Sequence, residues 1–137
     1  MARRYWLIKS EPEAYSYDKL VEDGSTLWDG VRNYRARNNL RAMSVGDEAL
    51  FYHSVSAKEI VGIVRIAKAG LDDPKDDSGT WAAVEIEPAE KFARPVSLAA
   101  IKAEKSLEET ELLRQSRLSV AEITPAEWRK IRSMAKA

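Results

Sequence analysis

Residues 28–54, WDGVRNYRARNNLRAMSVGDEALFYHS, interleave aromatic rings, amides and guanidinium groups. Four arginines (Arg32, Arg35, Arg37 and Arg41) fall within ten residues, and the only acids in the segment are Asp29, Asp47 and Glu48. Buried Arg and Asn need polar partners, and a surface helix ordinarily mixes acids with its bases. This mixture suits a site that holds a flat, polar, partly anionic ligand such as a nucleotide. Trp28 and Tyr34 can stack on a base, Asn and backbone groups can read its edge, and the arginines can hold phosphate. A wet face of an amphipathic helix is the plain rival for the arginines, but such a face would carry both signs of charge.

Other chemistry is less well supported. His53 is the only histidine and there is no cysteine, so no metal site is expected from clustered His or Cys. His53 precedes Ser54, which invites a hydrolase reading. However, no nucleophile elbow occurs and no acid is placed by motif to orient the ring. A histidine hydrogen-bonded at a pocket wall is the simpler reading. The run Lys9-Ser10-Glu11-Pro12 closes a strand, where sites often lie, and reads equally well as an ordinary turn. Walker A, dinucleotide-glycine, zinc and calcium patterns are absent. No cofactor is expected.

The elements that must position these groups follow from periodicity and capping. Strands are expected at 5–9, 48–54, 59–68 and 81–87, the last closed by Pro88. Gly62 marks a bulge or a close backbone approach. A short helix or turn at 16–22 stops at Asp23-Gly24. Asn33 caps a helix whose inward stripe is Ala36, Leu40 and Met43. Residues 70–79 are acidic and read as an exposed loop. Ser97 caps a helix through 103, and Ser106 with Glu109 has capping-box spacing. Residues 117–123 are extended. Thr124-Pro125-Ala126-Glu127 starts a last helix to about 134, with Trp128 and Ile131 inward. Trp6, Trp81 and Trp128 sit in apolar patterns and are expected in the core, whereas Trp28 fits either pocket or core. The sum is an α+β domain on a small, mostly antiparallel sheet or barrel.

Composition sets the outer limits. The 137 residues suit one domain, with 45% hydrophobic and 32% charged residues. The 22 basic and 22 acidic residues balance to zero net charge, which argues against a broad duplex footprint. The charge is uneven: residues 32–46 hold four positive charges and no negative one, while 104–111 hold four glutamates. A small positive site on a neutral protein fits one or a few nucleotides. No membrane span is expected, the N-terminus lacks a signal-peptide core, and a cytoplasmic monomer is the default.

The motifs YWLIKSEP (5–12), WDGVRNYRARNNLR (28–41), GDEALFYHS (46–54), VGIVRI (61–66), RLSV (117–120) and TPAEW (124–128) resemble, in order, those of the EVE domain. This small domain occurs in many bacteria and in the eukaryotic thymocyte nuclear protein family. The resemblance spans nearly the whole chain as a single domain, 1–137. It implies a PUA-like fold, a mixed, largely antiparallel pseudo-barrel flanked by helices, akin to YTH and ASCH domains. It implies a binding module rather than an enzyme, whose partner is nucleic acid and which reads a modified base such as 5-methylcytosine, in DNA or RNA, in an aromatic and polar pocket. Position by position, it implies ligand contacts at Lys9, Ser10, Trp28, Asn33, Tyr34, Arg37, Tyr52, His53 and Ser54, with Arg117 and Ser119 at the rim. The chain departs from the family pattern after FYHS, with Val55-Ser56-Ala57-Lys58-Glu59 where relatives often carry an Asn-Cys-type stretch and Pro-Gly. Two further readings stay open: a sensor of a nucleotide-like small ligand, and a nucleic-acid-processing enzyme using His53 or Glu11 as base.

Overall fold

The computed structural model describes residues 4–55 and 58–136. The first three residues of the N-terminal segment read for a signal peptide, and Ser56 and Ala57 of the divergent loop, lie outside the described residues.

Strand β1 (Tyr5–Ser10) carries the branched and aromatic run YWLIKS. It pairs in parallel with β3 (Glu48–His53) and antiparallel with β6 (Val120–Ile123). β3 continues antiparallel to β4 (Glu59–Asp72), and β4 to β5 (Ala82–Ser97). The short β2 (Thr26–Trp28) lies on the outer side of β5. The six-stranded sheet therefore runs β2-β5-β4-β3-β1-β6, mixed by its single parallel pairing. Trp6, Leu7 and Ile8, like Ala49, Leu50 and Phe51, are buried consecutively, so the central strands are covered on both faces.

Helix α2 (Tyr34–Ala42) packs against β4, β5 and edge strand β6, which turns the open sheet into a pseudo-barrel. Asn33 caps it as expected, its Oδ1 accepting the Ala36 N–H at 3.0 Å, and Ala36, Leu40 and Met43 face inward. Helix α1 (Tyr17–Asp23) begins at Ser16, whose Oγ accepts the Lys19 N–H, and ends at Gly24. Helix α3 (Leu98–Ala103) starts at Ser97. Helix α5 (Pro125–Lys136) opens on a reciprocal capping box. Thr124 N–H donates to Glu127 Oε1 at 3.0 Å, and Glu127 N–H to Thr124 Oγ1 at 3.2 Å. Trp128 of this helix stacks on Tyr5 with centroids 4.3 Å apart.

Gly62 is both a register shift and a close approach. The β4–β5 register slips between Ile60 and Gly62, and a Cβ at Gly62 would lie 2.7 Å from the Glu90 carbonyl oxygen and 2.9 Å from the Tyr17 ring.

Four expectations are corrected. β5 does not close at Pro88 but runs through it to Ser97. β2 pairs only with Val84 to Ile86, and the β4 register shifts beside Pro88, so the missing N–H falls outside the regular ladder. Residues 70–79 are not wholly an exposed loop, since β4 extends to Asp72 and Asp73 is buried. Trp81 is half-buried rather than core, because it leaves the sheet one residue before β5 and packs against Tyr34. Ser106 and Glu109 do not form a capping box. Ser106 lies in a 3-10 turn capped by Glu104, and the short helix α4 (Glu111–Arg114) follows Thr110. Among the described residues, no helix is long and apolar enough to cross a membrane.

Candidate nucleic-acid interface

The loop from β2 into α2 is held by one buried acid. Asp73 Oδ2 accepts the Gly30 N–H and Arg32 Nη1, each at 2.8 Å, and its Oδ1 accepts the Lys75 N–H at 2.8 Å. Gly30 takes φ +77°, a conformation open to glycine at no steric expense. Burial alone would raise the Asp73 carboxyl. The hydrogen bonds from Arg32, Gly30 and Lys75, with the Arg32 charge, outweigh it and bring the carboxyl down to about 2. Arg32 is thus paired with a residue whose acidic surroundings in the sequence read as an exposed loop.

The other arginines of α2 divide by partner. Arg35 Nη2 meets Glu111 Oε1 at 3.1 Å. Arg37 donates to the Thr80 carbonyl at 3.2 Å and, through Nε and Nη2, to Asn38 Oδ1 at 3.1 and 2.8 Å. Arg41 donates to the Gly79 and Thr80 carbonyls at 2.9 and 3.0 Å. Among the described residues, no carboxylate pairs with Arg37 or Arg41. Tyr34 is 62% exposed. It lies 4.9 Å from the Trp81 ring, with Arg37 4.9 Å over Tyr34 and Arg32 5.3 Å over Trp81. These four side chains form a cation–aromatic column on the outer flank of α2.

Two adjoining grooves lie at the C-terminal end of β1. One, of about 290 Å³, is lined by Lys9, Tyr52 and Ser54, with Val55, Lys58, Leu98, Leu112 and Ser116. The other, of about 300 Å³, is lined by Asn33, Arg35, Arg114, Gln115, Ser116, Arg117 and Leu118. Ser116 is common to both. Lys9 Nζ donates to the Ser116 carbonyl at 2.8 Å and lies 6.0 Å from the Tyr52 ring centroid, while Lys9 N–H donates to the Ser119 carbonyl at 3.0 Å. Burial lowers the pKa of the Lys9 ammonium and raises that of the Tyr52 phenol. The result is a cationic recess with one aromatic wall and several hydroxyl and amide groups.

Trp28 and His53 meet Phe51, and Ser10 and His53 bond to the segment that leads into α1. Trp28 is half-buried and meets Phe51 edge-on at 5.7 Å and Tyr15 at 6.2 Å. Ser10 Oγ donates to the Tyr15 carbonyl at 2.5 Å. His53 sits beside Ser10 in the parallel ladder, and its Nε2 accepts the Tyr17 N–H at 3.1 Å. That bond requires an unprotonated Nε2 and places the ring proton on Nδ1. Burial lowers the His53 pKa, aided by Lys91 and opposed by Glu59, Asp18 and Glu13.

The residues singled out in the sequence therefore occupy three places. Lys9, Tyr52, Ser54, Asn33 and Arg117 gather at the paired grooves, with Ser119 behind Lys9. Trp28 and His53 lie edge-on to Phe51, and Ser10 sits beside His53 with its hydroxyl on the Tyr15 carbonyl. Tyr34 and Arg37 stand on the column. Sequence reasoning missed Asp73, Trp81, Arg114 and Ser116. Arg114 to Arg117, RQSR, is an acid-free basic run that could have drawn notice, but Asp73 looks like any other aspartate of its loop. Among the described residues, no group of three or more His, Asp or Glu side chains could hold a metal ion.

The family model described as EVE domain matches residues 4–134. The chain belongs to the EVE domain family. Human thymocyte nuclear protein 1 is 35% identical over 159 residues, covering 90% of this chain and 70% of the human protein. An NMR structure of a protein from Rhodopseudomonas palustris is 43% identical with a TM-score of 0.93, covering 97% of this chain and 93% of the other. The crystal structure of human THYN1 protein in complex with DNA containing 5-methylcytosine is 32% identical with a TM-score of 0.90, and 98% of each chain is covered. An ASCH protein from Zymomonas mobilis, 15% identical with a TM-score of 0.62, shares the fold alone, as expected of a PUA-like domain.

Proposed function

We propose that this EVE domain is a nucleic-acid binding module that takes a modified base, of the 5-methylcytosine kind, into the recess at the end of β1. The observation that carries the reading is the human relative of the same fold in complex with DNA containing 5-methylcytosine. The local chemistry supports it. Tyr52 offers an aromatic wall, Asn33, Ser54 and Lys9 offer donors and acceptors for a base edge, and Arg117 offers charge at the rim.

Extracting a base costs a few kcal/mol, of which one aromatic contact returns about 1–3 kcal/mol. The remainder comes from edge hydrogen bonds and phosphate contacts. A base methyl adds only about 1 kcal/mol of burial, so preference for the modified base is modest unless the recess is tight.

Binding without turnover is favoured by His53. Its Nε2, the atom a general base would use, accepts the Tyr17 N–H, and the ring anchors the start of α1. The test is a panel of labelled single-stranded oligonucleotides carrying different modified bases, scored for retention and for product. Retention that depends on the modification supports a reader. Product formation would replace it with an enzyme, and binding of free nucleotides alone would favour a small-ligand sensor.

A further inference from the structure

The outer flank of α2 carries more positive charge than packing requires. Arg37 and Arg41 stand one turn apart, a like-charge spacing that weakens a helix. Both guanidinium groups are fixed on the same main-chain oxygen, the Thr80 carbonyl, and neither has a carboxylate partner among the described residues. Asp76 of the same loop turns its carboxylate instead to the Trp81 N–H and to Ser78. Tyr34, at the groove end of this stripe, rests on Trp81 and beneath Arg37, so the arginine is held from two sides. Each arginine keeps N–H donors beyond these bonds. A pair of cations anchored by carbonyls, Arg41 exposed and Arg37 partly so, with no carboxylate beside them among the described residues, is preorganised for an anion.

The stripe starts where the recess ends. Asn33, which lines the recess, immediately precedes Tyr34, and Arg37 and Arg41 follow on the flank of α2 nearest residues 79–81. From Asn33 to Arg41 the helix rises about 12 Å. A stacked strand rising about 3.4 Å per nucleotide covers that length in roughly three or four steps.

Resting on the base-reading proposal above, we infer that the Tyr34–Arg37–Arg41 stripe is a phosphodiester track for the strand that carries the read base. The ligand is then a short single strand extending from the base in one direction only, past Tyr34 and along α2. A free nucleoside fills the recess but leaves the track empty.

The experiment is a length series by fluorescence anisotropy. Strands containing one 5-methylcytosine are extended nucleotide by nucleotide on the 5′ side or on the 3′ side, with 5-methyl-deoxycytidine as competitor. Affinity should climb over the first roughly three or four nucleotides added on one side, level off, and stay flat on the other. Removing both arginines in R37A/R41A should flatten the logarithmic salt slope by about 1.4, from about 0.7 per phosphate contact. A roughly fourfold rise in salt should then weaken the wild type about sevenfold more than the variant. R37K/R41K should keep the slope, because it keeps the charge. Length-independent or symmetric binding, an unchanged slope in R37A/R41A, or a slope lost equally in R37K/R41K would each overturn the track. If length has no effect while the nucleoside still displaces the strand, the track falls and the base reading stands. If neither nucleoside nor strand binds, both fall.

Discussion

Arg32 and Asp73, 41 residues apart, meet through a 2.8 Å Nη1–Oδ2 bond in which the carboxylate side chain is fully buried and the arginine is 41% exposed. The same oxygen accepts the Gly30 N–H. One acid thus fixes the loop that delivers Trp28 to the barrel wall and Asn33 to the groove.

Asp73→Asn should destabilise the fold at neutral pH. The folded carboxyl titrates at about 2 against a usual 3.8, a difference worth on the order of 2 kcal/mol. A depressed folded value stabilises above the unfolded pKa, and the benefit is lost as pH falls through the folded one. Urea midpoints of wild type and D73N should therefore differ at pH 7 and converge between about pH 4 and pH 2. A gap that ignores pH would mean the contribution is not ionic.

His53→Gln should leave neutral-pH stability nearly intact, since its amide oxygen can accept the Tyr17 N–H. His53→Ala should lose about 1 kcal/mol, leaving that donor unpaired. The His53 pKa is lowered by burial, so the folded state resists the proton. Stability from the neutral ring is complete above the unfolded value of about 6.5 and declines as pH falls below it. Thermal melts across this range should show the decline in wild type and not in H53Q; matching profiles would remove the buried-histidine contribution.

Gly62→Ala should destabilise by about 1–3 kcal/mol. The new methyl meets the Glu90 carbonyl at 2.7 Å, a backbone atom that cannot swing aside, and the Tyr17 ring at 2.9 Å. Denaturant titration measures it. A neutral result would show that β4 and β5 separate freely at this point.

Asn33→Ser separates capping from recognition. Serine keeps an N-cap acceptor, so melting should shift little, whereas Asn33→Ala should lose about 0.5–2 kcal/mol. If the amide reads a base edge, N33S binds the modified strand more weakly despite its stability. Wild-type affinity in N33S would confine Asn33 to capping.

Much of the fold was legible along the chain because its signals are local. The branched run of β1, the Asn33 cap with its Ala36–Leu40–Met43 stripe and the Thr124–Glu127 box each depend on neighbours a few residues away. The concentration of cations and amides at 28–54 is likewise a property of sequence, but the fold divides it, sending Asn33, Arg35, Tyr52 and Ser54 to the grooves at the β1 end and Tyr34, Arg37 and Arg41 to the outer flank of α2. Proline at 88 misled because its effect depends on whether a neighbouring strand needs that N–H, and β2 stops short of it. What each polar group does was decided only in three dimensions. Arg32 is neutralised by Asp73 across 41 residues, while Arg37 and Arg41, alike in sequence, keep their charge. His53 ends on a backbone N–H rather than in the groove occupied by its neighbours Tyr52 and Ser54. Strand alternation puts adjacent side chains on opposite faces, and long-range pairing chooses the partner each one meets.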